Sequence, residues 1–188
     1  MINLSNNFIN YLEENLTDHH KLYKKIRCKA ENLEELIVRS LDSSGYNVGW
    51  DPASHDKIKD IVVNNTNNLS IKSGTFNKKK KSINISGHRL GSFKSNFKEI
   101  TDYLNKSTDT ISVYNPSKNF KKHTYVISTI SKEKFAGLKS DAWIKKGAAF
   151  NQTNAFNVKF SLRPTMSWQI WWEIPVSQAE LLGTIEID

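Results

Sequence analysis

Apolar positions recur along this chain with two different periods, and the change between them sketches the fold. Residues 1 to 16 place Phe8, Leu12 and Leu16 at i, i+4 and i+8, the spacing of one helix face. Asp18-His19-His20 then reads as a break, with both His in an exposed polar patch. A second helical pattern runs from about Leu22 to Leu41, interrupted near Cys28, with Leu33, Leu36, Ile37 and Leu41 as its apolar stripe. Glu34 lies on the flank of that stripe and Glu35 nearly opposite it. Gly45 is a natural stop.

From Tyr46 onward the period falls to two. Tyr46 to Trp50 reads as a strand, followed by the loop DPASHDKIK. Ile61-Val62-Val63 and Leu69 to Lys72 read as a hairpin, turning through Asn64 to Asn68. The register expected pairs Val63 with Leu69 and Ile61 with Ile71, which places Asp60 opposite Lys72. Because strand side chains alternate, Asp60, Ser70 and Lys72 then share a face, with apolar residues behind them. Ile83-Asn84-Ile85 alternates as a third strand, and Asn96 to Lys106 has helical spacing. Thr110 to Tyr114, Thr124 to Ile130, Asn157 to Leu162 and Met166 to Ile174 follow as strands. Glu133 to Lys145 reads as a helix broken at Gly137, and Ala148 to Asn157 as a polar loop. In the last strand Trp168, Ile170, Trp172 and Ile174 share one face, which favours core or dimer packing over base stacking.

These elements predict one mixed α/β domain with a central sheet flanked by helices. At 188 residues the chain is long enough to bury a sizeable core. A single Cys excludes an internal disulfide framework or a Cys-based metal site. The start of the chain lacks the pattern of a signal peptide, and no apolar run reaches the length of a bilayer span. The expectation is a soluble, cytoplasmic protein with no membrane partner.

Charge changes the picture. The net charge is +8, and from Ser70 to Lys98 there are eight basic residues and no acidic one. After Arg163 nothing is basic. A Lys-rich composition alone explains a positive total but not this focusing, which points to a polyanionic partner. Lys78, Lys79, Lys80 and Lys81 read both as a solvated loop and as phosphate contacts. Ser86, His88 and Arg89 can grip a phosphate or read guanine, and equally form a capped turn with an exposed Arg, with Gly87 letting backbone approach a ligand. Asn151 and Gln152 carry amides suited to adenine, though a polar surface loop explains them too.

The ordered set of an acidic helix, SHDKIKD, SIKSG and SGHRL resembles the PD-(D/E)XK nuclease superfamily, in particular small type II restriction endonucleases. The likeness covers roughly residues 30 to 105. Asp60 matches the family's strand-leading Asp, and Ser70-Ile71-Lys72 its acid-x-Lys triplet. Ser70 departs from the pattern, since the family usually has Glu or Asp there; some restriction enzymes are similar in carrying Ser, with an acid supplied by the preceding helix. The resemblance implies a restriction-endonuclease-like fold and Mg²⁺-dependent cleavage of double-stranded DNA by a homodimer. It implies catalytic roles for Glu34, Asp60, Ser70 and Lys72, and a metal held by Glu34, Asp60 and the Ile71 carbonyl. It also implies a DNA contact by His55. A non-catalytic DNA- or RNA-binding protein, or a repair or nicking nuclease, stands as the alternative.

Overall fold

A computed structural model describes residues 4–51, 59–93, 95–116 and 122–188. Helix α1 (Asn6–Leu22) buries Phe8, Leu12, Leu16 and His20, one residue per turn on a single stripe. The expected break at residues 18 to 20 is therefore absent. His20 is buried rather than exposed: its Nε2 meets the Tyr125 hydroxyl at 2.7 Å and its ring stacks on His123 at 3.8 Å. Burial, and then the neighbouring His123, lower its pKa to about 4. Helix α2 (Ala30–Ser43) starts later than the pattern suggested and buries Leu33, Ile37, Ser40 and Leu41. Gly45 follows it at φ 86, the left-handed turn that Gly adopts without steric cost.

Strands β1 (Val48–Trp50), β2 (Ile61–Val63), β3 (Asn67–Asn77) and β4 (Ser82–Arg89) come next. Helix α3 (Phe97–Leu104) is capped by Asn96, whose side chain accepts from the Glu99 N–H. Then come β5 (Asp109–Asn115), β6 (His123–Ile130), β7 (Ile144–Lys146), β8 (Ala149–Thr153), β9 (Lys159–Arg163), β10 (Gln169–Pro175) and β11 (Glu180–Ile187). They form one mixed sheet in the order β11-β6-β5-β3-β4-β10-β9-β8-β7, with β2 joining β1 to β3. Among the described residues only β3 and β5 pair in parallel, and the other pairs are antiparallel.

Two hydrophobic cores form, one on each face of this sheet. Helices α1 and α2 cover Ile61, Val63, Leu69, Ile71, Ile111, Val113, Tyr125 and Ile185. On the other face, α3 and the 3-10 turn Lys132–Phe135 cover Ile83, Ile85, Phe160, Leu162, Ile170 and Trp172. The packing role expected of the Trp-rich strand is the observed one.

Three further expectations fail, each for an identifiable reason. The β2–β3 hairpin turns through three residues, with Asn64 and Asn65 both left-handed (φ 52 and 60), a conformation Asn tolerates better than most side chains. Ile61 therefore pairs with Leu69 and Val63 with Asn67. The register differs from the expected one by two residues, so the faces are preserved. The helix expected over Glu133 to Lys145 is confined to the 3-10 turn. Gly137 turns left-handed there at φ 84, and the Asn154 amide takes up the carbonyls of Lys134 and Ala136 that a helix would have used internally. The expected polar loop after Ala148 is strand β8, with Asn151 and Thr153 on one face of the sheet and Gln152 buried on the other.

Candidate functional site

Strand β3 changes partners along one edge. Its first residues pair with β2 as far as Leu69, and its last pair with β4 from Gly74 onward. Between them, among the described residues, 70 to 73 have a ladder partner only on the other edge, where β5 runs alongside. This notch would leave backbone groups unsatisfied. Asp60, just ahead of β2, closes it: its N–H donates to the Leu69 carbonyl at 2.9 Å, and its Oδ2 accepts from the Ile71 N–H at 2.6 Å.

The same carboxylate oxygen accepts from the Ser70 hydroxyl at 2.8 Å and from Lys72 Nζ at 2.7 Å. Asp60 and Lys72 are each only 14% exposed, so this ion pair is largely desolvated. Sequence spacing thus identified a set that the structure brings to one point, by a register different from the one expected.

Glu34 reaches the notch from α2 on the opposite face of the sheet. It lines a cleft with Leu33, Ile71, Lys72, Ser73 and Ser86. Burial raises its pKa first, and repulsion from Asp60 raises it further; Lys72 and a hydrogen bond from Trp50 act against both. Glu35 points away and pairs with Arg39 on the exposed side of the helix. Glu34 is the acid that senses Asp60 and Lys72, as its flanking position on the stripe suggested. Trp50 was missed, because its link to Glu34 depends on β1 pairing with β2, a separate segment of the chain.

Glu34, Asp60 and the Ile71 carbonyl offer only oxygen donors. The Ile71 N–H points into the notch, and in an extended strand the carbonyl of the same residue faces the same edge. Two carboxylates that repel one another and a carbonyl suit a hard divalent cation that keeps several of its waters. They do not make a site closed by protein ligands: among the described residues no group of three or more His, Cys, Asp or Glu is placed to hold a metal.

The remaining predicted residues scatter. Lys78 to Lys81 form the exposed β3–β4 turn, with Lys80 held by Glu173 at 2.8 Å. Ser86 lines the Glu34 cleft, whereas His88 packs edge-on against Tyr103 on the other face and lines a pocket with Ser70 and Trp172. Arg89 ends β4 and is exposed. Gly87 does not admit a ligand: a Cβ there would meet Ile170 Cγ2 and Trp172 Cη2 at 2.6 Å, so its smallness serves packing. Gln152 is buried and its amide clamps the backbone N–H and carbonyl of Lys139 at 2.7 and 2.8 Å, which takes it out of reach of a base. Asn151 accepts from the Ser161 hydroxyl at 2.6 Å. His55 lies outside the described residues.

Fold and site together define a mixed α/β protein whose sheet splits around a buried carboxylate–lysine pair, with a second acid on the adjoining helix. No family model matches the chain, and no curated protein or solved structure matches it. No helix among the described residues is long and apolar enough to cross a membrane.

Proposed function

We propose that this chain is a Mg²⁺-dependent endonuclease that hydrolyses phosphodiester bonds in double-stranded DNA at a short specific sequence, as a cytoplasmic type II restriction enzyme of the PD-(D/E)XK superfamily. One observation carries the reading: Asp60, Ser70, the Ile71 backbone and Lys72 converge within hydrogen-bond distance, with Glu34 close enough to repel Asp60. A surface ion pair does not call for a second, half-buried acid beside the first, whereas holding a divalent cation for phosphodiester hydrolysis does.

Bound Mg²⁺ would supply Lewis acidity and a more acidic water. Glu34, Asp60 and the Ile71 carbonyl would hold it. Lys72, which lines the Glu34 cleft and whose ammonium lies 2.7 Å from Asp60 Oδ2, would orient the attacking water and stabilise charge developing on the phosphate. Ser70 acts indirectly, by fixing the Asp60 carboxylate. A restriction-endonuclease-like arrangement of the sheet and a two-fold dimer, which would present two such sites to the two strands, belong to the same proposal.

A second reading has a specific observation behind it. Ser70 stands where a third acid would strengthen metal binding, and its presence there favours a DNA- or RNA-binding protein that keeps the fold without cleavage. Incubation with supercoiled plasmid, with and without Mg²⁺, separates the readings. Discrete linear fragments that need Mg²⁺ are expected. Relaxed circles would indicate a nicking or repair nuclease, and unchanged plasmid would defeat the nuclease reading.

A further inference from the structure

Beyond the area covered by α1 and α2, the sheet continues through β4, β10, β9 and β8. Alternate residues of these strands enter the core on the α3 side. The residues between them occupy the opposite face, half-buried or exposed, and they fall into cross-strand rows. One row is Arg89–Gln169–Arg163. The next is Ser86–Trp171–Ser161. The third pairs Glu173 with Lys159. Ser86 also lines the cleft that holds Glu34 and Lys72, so this face opens directly into the candidate site.

Its charge is one-sided. Among the described residues no carboxylate forms an ion pair with Arg89, Lys159 or Arg163, while Glu173, the acid in these rows, is occupied by Lys80 at 2.8 Å. Lys80 belongs to the Lys78 to Lys81 turn, which therefore borders the same face. Such a surface is complementary to a polyanion.

The aromatic content decides which one. A single-strand platform presents open rings for bases to stack on. Trp171 is half-buried and the Arg163 guanidinium lies over its ring, 4.9 Å from the centroid. What the face offers instead is the forked donors of Arg89 and Arg163, with the Gln169 amide between them resting on the Gly87 carbonyl at a long 3.4 Å. Neighbouring strands lie about 5 Å apart, so Arg89 and Arg163 flank Gln169 across roughly 10 Å. That is close to the width of a DNA major groove, about 12 Å, where Arg reads guanine and Gln reads adenine.

We propose that this open face is where duplex DNA docks, with Arg89, Gln169 and Arg163 facing the groove and Lys159 a backbone phosphate. The inference rests on the nuclease reading for its choice of DNA, but it is tested without cleavage. Fluorescence anisotropy of a labelled random-sequence duplex, in the absence of divalent metal, gives the dependence of affinity on salt. The triple variant Arg89→Gln/Lys159→Gln/Arg163→Gln is compared with Lys21→Gln/Lys24→Gln/Lys25→Gln, an equal charge change at the far end of α1 and the segment after it. The first should flatten the slope of log affinity against log salt by at least about 0.9, the value for the one backbone phosphate that Lys159 no longer neutralises. The second should leave it nearly unchanged.

Equal slopes in the wild type and the face variant would overturn the proposal. So would equal losses in both triple variants, since net charge alone would then explain binding. Absence of duplex binding by the wild type, or tighter binding to single-stranded DNA or to duplex RNA, would overturn it as well. Plasmid cleavage tests the nuclease reading separately. Cleavage with an unaltered slope removes the docking face and leaves the nuclease; a flattened slope without cleavage does the reverse.

Discussion

The Asp60–Lys72 pair is where stability and chemistry can be separated, by a double-mutant cycle with two readouts. Asp60→Asn keeps the shape of the side chain but leaves the Lys72 ammonium without its counter-charge, at 14% exposure. Breaking a buried pair from one side costs about 3–5 kcal/mol, and access to some water places this case near the lower end, about 3 kcal/mol. Lys72→Met is milder. Asp60 keeps the Ser70 hydroxyl and the Ile71 N–H, so the loss is about 1–2 kcal/mol. The double variant leaves no uncompensated charge and should also lose about 1–2 kcal/mol, giving a coupling energy of about 3 kcal/mol. For a chain of this length 1 kcal/mol moves the Tm by about 2–4 °C. Thermal unfolding followed by circular dichroism, without divalent metal, should therefore show Asp60→Asn about 6–12 °C below wild type and the double variant several degrees above Asp60→Asn. Plasmid cleavage should be absent in all three. A double variant that melts where the two single losses add would show that the charges are too well solvated to form a unit. Cleavage that survives Lys72→Met would remove the lysine from the mechanism.

Glu34 should show the opposite relation of stability to activity. Burial and Asp60 hold its folded pKa above the ordinary 4.5, so the native state retains a proton that the unfolded chain releases. Stability then falls as pH rises from about 4.5 through the folded value and stays reduced above it. Glu34→Gln should accordingly melt higher than wild type at pH 7, lose that advantage in acid, and abolish Mg²⁺-dependent cleavage, while Glu35→Gln is nearly silent in both assays; a variant less stable at pH 7 would contradict the assigned environment. Neutralising Lys78, Lys79, Lys80 and Lys81 should weaken binding to all duplex sequences alike and flatten its salt slope by about three, because Lys80 already serves Glu173. An unchanged slope would place that turn away from DNA.

The reach of the sequence follows a physical division. Helix α2, strand β3 and the buried face of β10 were legible because one-sided burial imposes a period, and the period survives small errors of boundary. The same property protected the candidate site. The turn was placed two residues too long, but an even slip leaves Asp60, Ser70 and Lys72 on their common face. What escaped depends on distant partners. His20 continues the stripe of Phe8, Leu12 and Leu16, but Tyr125 and His123, the partners that bury it, lie more than a hundred residues away. Gln152 and Asn154 have the composition of a surface loop, yet they clamp the backbone of the segment expected to be helical. Glu34 and Glu35 could be separated only because one flanks an apolar stripe. The open face of β4, β10 and β9 required strand pairings that bring Arg89, Gln169 and Arg163 together from separate segments.

On the proposed nuclease reading, Ser70 bears on whether the site is a weakened version of the pattern it resembles or a consistent variant of it. Its side chain is 6% exposed and its hydroxyl donates to Asp60 Oδ2 at 2.8 Å. A carboxylate at that position would withdraw a donor from Asp60 and replace it with a like charge. With Glu34 already near Asp60, three acids would then share Lys72 as their counter-ion. Ser70→Glu is thus expected to destabilise the metal-free protein at pH 7 by about 3 kcal/mol, or about 6–12 °C in Tm. The loss should shrink in acid, as the added carboxyl becomes protonated, and should also shrink when Glu34→Gln removes one of the three charges. Mg²⁺ or Ca²⁺ should raise the Tm of Ser70→Glu more than that of wild type, since a cation relieves three acids rather than two. Ser70→Ala removes the donor without adding charge and should cost only about 1 kcal/mol. A Ser70→Glu protein as stable as wild type, with no added response to divalent cations, would show that the helix acid does not share the site. The serine would then be a lost ligand. If the destabilisation and its rescue by Glu34→Gln are found, the serine is what allows an acid from α2 to take the third corner of the site.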